Sequence, residues 1–389
     1  MTRILFIIPA FKHGGTNKSL SNILSFIKDE FDITILALSH LGSYKKIFEN
    51  EVKIIEKDPY LSILFDDFGA VNLKEDSIKQ VITNLANKIY RKLFKAIIGE
   101  KGREKIMGKV AKSVENMNFD TIVAMQEGNA TNFASRINSK KVAWVRSDYN
   151  EYYKIIKNDE SAIYEKYQAI ICVSEYTKST FLDKYPQFEN KCYGIHNMID
   201  DKKIIEMANI PIEDNELFDN SRFTIISIGR LSKVKQFELI PNVVKNLKVK
   251  GFQVNWYIIG DGEEKPIISE LIKNNGVEGQ VLLLGEISNP YPYIKHSDLV
   301  VVTSFSEACP NVLNESKILH IPVITTNFGS AKEFIDSGVN GIITTEKNID
   351  NDIAKIIEDK NYYKTIESNI RDFEYSNDDI IKQVVSLLK

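Results

Sequence analysis

The sequence predicts an α/β chain made of two doubly wound parallel sheets in tandem. Three observations carry that expectation. Apolar runs of strand length alternate with helix-length amphipathic segments along most of the chain. The runs are apolar at consecutive positions, as in strands covered on both faces, and they end in glycine-bearing or charged clusters. The alternation stops in a polar, acidic stretch from Lys202 to Arg222 and then starts again. At 389 residues the chain also exceeds what one core usually organises, so two domains are expected.

Composition narrows the function. A hydrophobic content of 43% with 26% charged residues is ordinary for a soluble globular protein. No apolar run reaches eighteen residues, so no membrane span is expected. The opening MTRILFIIPAF has the short apolar core of a signal peptide. No small-residue cleavage site follows, and His13-Gly14-Gly15 comes at once, so a buried first strand and a cytoplasmic location are expected. Cys172, Cys192 and Cys309 are too few and too scattered for a disulfide framework or a zinc site. The triplet Asp350-Asn351-Asp352 falls in a late polar stretch where turn formation accounts for it, and no metal or other cofactor is expected. A net charge of −3 argues against nucleic acid as a partner.

In chain order, Ile4 to Ala10 reads as a buried strand, with a helix starting near Asn17. Gly14 and Gly15 between them allow a backbone to pass close to an anion. Strands follow at Asp32 to Ser39 and Val52 to Glu56. From Leu73 to Met117 the pattern is helical: Leu85, Ile89, Leu93 and Ile97 recur at four-residue spacing, flanked by Lys88, Arg91, Lys92 and Lys95. Two readings stand for this segment. Either it is a solvated helix whose apolar stripe packs on the sheet, or it docks on an anionic membrane surface. The sheet resumes at Thr121 to Met125, followed by Glu127 and Asn129, and at Val142 to Arg146, followed by Asp148. Ala169 to Ser174 is a further strand and Glu175 to Lys184 its helix.

The second alternation has strands at Phe223 to Gly229, in WYIIG, VLLLG and LVVV, at Pro322 to Thr326, and in GIITT. The stretch from Thr303 to Ser330 organises the rest. After LVVV comes a loop with Glu307, then a helix that Pro310 can open, since its missing N–H costs nothing in a first turn. Glu315 stands in the second turn. Two carboxylates therefore lie near the strand's carboxyl edge, where a helix-start role would account for either one alone.

Glu307 and Glu315, with seven residues between them that include Pro310-Asn311-Val312-Leu313, resemble the signature of the family-four retaining glycosyltransferases of GT-B fold, and the resemblance covers nearly the whole chain. It implies two Rossmann-like domains facing across a cleft: an acceptor-side domain over 1–199, with the C-terminal helix at 374–389 packing back on it, and a nucleotide-sugar-binding domain over 200–373. Gly229 to Lys235 is similar to the family's diphosphate-binding segment, with Arg230 and Lys235 as its cations. Gly260-Asp261-Gly262-Glu263 resembles the second glycine-bearing turn.

The resemblance makes Arg230, Lys235 and Glu307 the catalytic candidates. It adds Gly14, Gly15, Ala308, Cys309, Pro310, Asn311, Val312 and Glu315 as donor contacts, with Glu315 on the ribose hydroxyls. On the acceptor side it points to Glu127, Asn129, Arg146 and Asp148. The chain departs from the family pattern at several positions. Gln236 and Ala308 replace glycines, Cys309 replaces an aromatic residue, Leu319-His320-Ile321 replaces small residues, and Arg146 replaces a histidine.

The implied activity is transfer from a nucleoside diphosphate sugar, a UDP-sugar, to a glycan or lipid-linked acceptor in bacterial capsule, exopolysaccharide or cell-wall polysaccharide synthesis. Attachment to the inner membrane face would run through the basic helix. A GT-B sugar-nucleotide epimerase and a non-catalytic sugar-nucleotide-binding subunit are the alternatives.

Overall fold

A computed structural model describes residues 1–12, 14–66, 78–212 and 222–389. Within the helical segment that starts at Ile78, the side chains of residues 78–92 and 95 lie outside the described set. His13, the expected helix start at Leu73, and the side chains of Leu85, Lys88, Ile89, Arg91, Lys92 and Lys95 therefore fall outside it. The chain divides into two compact units. The first comprises Met1–Val173, Thr177–Met198 and Asp378–Lys389, and the second Ser174–Tyr176 and Ile199–Asn377.

The first unit is built on seven parallel strands: β1 (Arg3–Ala10), β2 (Asp32–Ser39), β3 (Lys53–Ile54), β4 (Thr121–Ala124), β5 (Lys140–Val145), β6 (Ala169–Cys172) and β7 (Cys192–Gly194). Their order is β3-β2-β1-β4-β5-β6-β7, so the order reverses between β1 and β4. The strand expected at Val52 to Glu56 shortens to two residues, and β7, flanked by charged and exposed positions, was not expected at all. The helix Gly15–Ile27 starts two residues earlier than its apolar pattern suggests. The helix Asp378–Leu388 belongs to this unit: Val384 and Leu388 are fully buried, and the Thr121 hydroxyl donates to the Leu388 carbonyl at 2.9 Å.

Three sequence expectations change in this unit. The backbone over Ile78–Glu115 is helical but broken at Gly99 (φ 57, ψ −171). The apolar stripe does not pack on the sheet at its described positions: Leu93 is 57% and Ile97 82% exposed, while Ile98 packs on the core instead. The cysteines are not scattered in space either. Adjacent strands bring the buried thiols of Cys172 and Cys192 to 3.6 Å as free cysteines.

The second unit carries six parallel strands: β8 (Phe223–Ile228), β9 (Val254–Ile259), β10 (Val281–Gly285), β11 (Leu299–Val302), β12 (Val323–Thr326) and β13 (Ile342–Thr344), ordered β10-β9-β8-β11-β12-β13. The period of two along each strand divides its side chains between two cores. Ile225, Trp256, Ile258, Leu299, Val301 and Ile324 enter one core, and Ile226, Tyr257, Ile259, Val300, Val302 and Val323 the other. A sheet covered on both faces has consecutive apolar residues, which is what made these strands readable. The expected linker from Lys202 is partly helical: Asp201–Ala208 forms a helix capped by the Asp200 carboxylate, which accepts from the Lys203 N–H at 3.0 Å. The Asp350–Asp352 triplet is a helix start rather than a turn. It opens Ile349–Glu358, where Asp350 pairs with Lys250 at 2.7 Å and Asp352 accepts from Thr344.

One buried charge stands out in this unit. Lys317, on the helix Asn311–Ile318, is 3% exposed; its ammonium donates to the Phe334 carbonyl at 2.7 Å and lies 4.3 Å from the centre of the Phe373 ring. Burial pushes its pKa down from 10.5 to about 8. The folded state therefore releases this proton before the unfolded state does, and the cost of the buried charge is fully present below pH 8. Stability should rise between about pH 8 and 10.5, by on the order of 3 kcal/mol at 1.36 kcal/mol per pH unit. Urea unfolding of the wild type and Lys317→Met at pH 7, 8, 9 and 10 checks this: the rise should be missing in the variant, which should be no less stable than the wild type at pH 7.

Candidate functional site

At the carboxyl edge of the second sheet, the chain order reverses between β8 and β11, and the loops after these two strands meet. Lys235, in the turn Lys233–Lys235 after β8, forms an ion pair with Glu307, in the loop after β11. Both side chains are largely buried, so the pair is shielded from solvent. Glu307 Oε1 also accepts from the Ser304 hydroxyl at 2.7 Å, and the Glu307 carbonyl accepts from Ser330 Oγ at 2.8 Å. The Lys235 carbonyl accepts from Thr303 Oγ1 at 2.6 Å, and the Phe305 N–H donates to the Val234 carbonyl at 3.0 Å.

Gln236, in place of glycine, adopts the left-handed conformation (φ 50, ψ 37), and its amide donates to Glu346 at 2.8 Å. His320 likewise sits at φ 61. The substitutions therefore leave both turns in a conformation that favours glycine.

Arg230 is exposed and pairs with Glu263 at 2.9 Å. The Glu263 backbone N–H and the Arg230 guanidinium hold the Glu263 carboxyl below its usual range. The glycines of this turn are required by close packing. A Cβ on Gly260 would lie 1.9 Å from the Gly229 carbonyl oxygen, and one on Gly262 would lie 2.3 Å from that of Leu231. Leu231 N–H donates to the Asp261 carbonyl, and Glu264 N–H to that of Leu231. The turn thus fixes the backbone that carries Arg230.

Pro310 precedes the helix Asn311–Ile318, whose first turn holds no acidic residue, so its positive dipole end is not offset there. Ala308 and Glu315 are buried, and Cys309 and Val312 pack against the core below. Lys235 and Glu307 are thus in contact, Arg230 is held by a residue outside the candidate set, and Glu315 lies on the helix that follows the Glu307 loop. Among the described residues, no three His, Cys, Asp or Glu side chains are grouped to hold a metal ion.

Gly14 and Gly15 lie in the first unit, where Gly14 (φ 155) precedes the helix Gly15–Ile27. Glu127 is buried and committed: its carboxylate accepts from the Arg146 N–H at 2.8 Å and from the Ser147 hydroxyl. The Arg146 guanidinium donates to Asn197 Oδ1 at 3.0 Å, and the same oxygen accepts from Ser19 on the first helix, also at 3.0 Å. Asp148 caps Tyr149–Ile156 by accepting from the Asn150 N–H at 3.0 Å. Asn129 Oδ1 accepts from Arg103 at 3.4 Å.

Sequence reasoning missed the buried carboxyl Glu160. Tyr149 and Tyr152 donate to it at 2.9 and 3.3 Å, and burial raises its pKa against those bonds. It also missed Thr303, Ser304 and Ser330 as ligands of the site, although two of them directly follow LVVV. Among the described residues, no helix is long and apolar enough to cross a membrane.

Comparison with known proteins agrees with this geometry. A protein of Methanocaldococcus jannaschii, named an uncharacterized glycosyltransferase, is 31% identical over 198 residues, which is 49% of this chain and 48% of that protein. A Campylobacter jejuni protein, named N-acetylgalactosamine-N,N'-diacetylbacillosaminyl-diphospho-undecaprenol 4-alpha-N-acetylgalactosaminyltransferase, is 26% identical over 355 residues, covering 90% of this chain and 87% of its own. The Anabaena protein HepE, solved in complex with UDP and glucose, has 18% identity and a TM-score of 0.75, covering 100% of this chain and 99% of that one. That likeness places the fold as GT-B. The profile of the family described as "Glycosyl transferases group 1" matches residues 210–373, the segment that holds Arg230, Lys235, Glu307 and Glu315. By that match, the second unit of the chain is similar to the group 1 glycosyl transferases.

Proposed function

We propose that the chain is a retaining, metal-independent glycosyltransferase that moves a sugar from a UDP-sugar to a glycan or lipid-linked glycan in bacterial surface-polysaccharide assembly, at the cytoplasmic face of the membrane. The observation that carries this reading is the Lys235–Glu307 pair at the reversal point of the second sheet, inside the matched segment. A departing nucleoside diphosphate accumulates negative charge. Arg230, Lys235 and the amino-terminal end of the helix Asn311–Ile318 are positive groups on that edge that can take it up. Both cations are held by carboxylates, Glu263 and Glu307, which an entering diphosphate can displace. Glu315 serves the ribose hydroxyls, and Ala308, Cys309 and Val312 shape the sugar pocket. Glu127, Asn129, Arg146 and Asp148 form the acceptor side, with Arg146 its cation.

The UDP-bound HepE supports the choice of nucleotide, and the diphospho-undecaprenol in the C. jejuni relative's name supports a lipid-linked acceptor. The transferase names of the M. jannaschii and C. jejuni relatives favour transfer over epimerisation or a non-catalytic role.

Thermal unfolding with UDP, GDP and ADP in the presence of a chelator tests the donor reading. A nucleotide at one hundred times its Kd adds about 2.7 kcal/mol to the folded state. UDP alone should raise Tm, and the shift should vanish in Lys235→Ala and shrink in Glu315→Ala. The reading is overturned if no nucleotide shifts Tm, or if either variant transfers sugar as well as the wild type.

The exposed Leu93 and Ile97 support docking of the basic helix on anionic lipid. Cosedimentation should then be stronger with phosphatidylglycerol-containing vesicles than with pure phosphatidylcholine. Leu93→Ser with Ile97→Ser should lower it several-fold and leave the UDP shift intact.

A further inference from the structure

The ion pair at the centre of the site rests on a layer of buried hydroxyl groups. Thr303 and Ser304 are consecutive, fully buried, and follow directly on β11. Thr303 Oγ1 donates across to the Lys235 carbonyl, on the loop of the neighbouring strand β8, at 2.6 Å. Ser304 Oγ donates to Glu307 Oε1, the same oxygen that receives the Lys235 ammonium. Behind them, Thr326 Oγ1 donates to the Ser304 carbonyl and Ser330 Oγ to the Glu307 carbonyl. We propose that Thr303 and Ser304 are positioning residues that hold Lys235 and Glu307 in register for a nucleoside diphosphate. The inference rests on the donor reading above.

The geometry separates this role from mere satisfaction of buried carbonyls. A lysine side chain is flexible, so where its ammonium can reach depends on how firmly its backbone is anchored. Thr303 provides that anchor from the adjacent strand. For Glu307 the point is competition. The two partners it has among the described residues both fall on Oε1, and a diphosphate must take one of them, the lysine, away. Ser304 is the bond that remains. It keeps the carboxylate in place while the ammonium turns to the phosphate, and it prevents Glu307 from following Lys235 as a rival anion. Without it, the carboxylate would keep its claim on Lys235, and the nucleotide would bind less well.

Calorimetric titration with UDP, in chelator, tests this through a double-mutant cycle. Thr303→Val and Ser304→Ala should each weaken UDP binding about five- to twentyfold, the loss of one hydrogen bond to the machinery. Thr303→Ser, which keeps the hydroxyl, should stay within about twofold of the wild type. In a Lys235→Ala background, Thr303→Val and Ser304→Ala should each change affinity by less than about twofold, because the lysine they act through is gone. Unfolding midpoints measured alongside confirm that each variant is folded. The proposal is overturned if Ser304→Ala binds UDP as the wild type does, or if its loss is the same with and without Lys235. A wild type that binds neither UDP, GDP nor ADP defeats the donor reading itself, and this is visible before any variant is made.

Discussion

The constraint on which everything else depends is that both sheets are wholly parallel. Parallel pairing forces every strand to begin at one edge and end at the other, and every return to cross a face as a helix. The faces are then covered, so the strands are apolar on both sides, and the only place for chemistry is the edge where strands end. In the second unit that edge collects Arg230 and Lys235 from β8, Glu263 from β9, Glu307 from β11 and Ser330 from β12. These residues are far apart in the chain, and the strand order alone makes them neighbours.

This explains what could be read from the sequence. Strands such as Leu299–Val302 and Phe223–Ile228 were legible because double burial writes them as unbroken apolar runs. The polar residues after them were legible as site candidates for the same reason. What could not be read depends on adjacency. Cys172 and Cys192 meet because β6 pairs with β7, and β7 has no apolar run to announce it. Thr303 stood in plain view, but its partner, the Lys235 carbonyl, lies on a loop 68 residues back, and the order β8-β11 brings that loop alongside. Leu93 and Ile97 show the reverse failure. Their spacing is that of a buried stripe, yet both are exposed, and it is Ile98, directly before the break at Gly99, that meets the core.

Energetically, the site is unsettled. Burying a lysine and a glutamate together costs desolvation that their attraction repays only in good geometry, and removing one partner leaves the other stranded. Lys235 and Glu307 are held in such geometry by backbone and hydroxyl bonds from β11, β12 and the Ser232 carbonyl. Gln236 adds to this tension, since a left-handed glutamine costs of order 1 kcal/mol or more, and its side-chain amide is tied to Glu346. The stability of this corner therefore comes from the surrounding core rather than from the charged groups.

The helix Asp378–Leu388 has a consequence for how the chain is made. It follows the whole of the second unit in the chain, yet it completes the first unit, burying Val384 and Leu388. The second unit, encoded in between, has all its strands before that helix appears. During synthesis the later unit can therefore close first, while the earlier one waits with part of its core uncovered. Early termination of translation at residue 377 would spare the nucleotide half and damage the amino-terminal half.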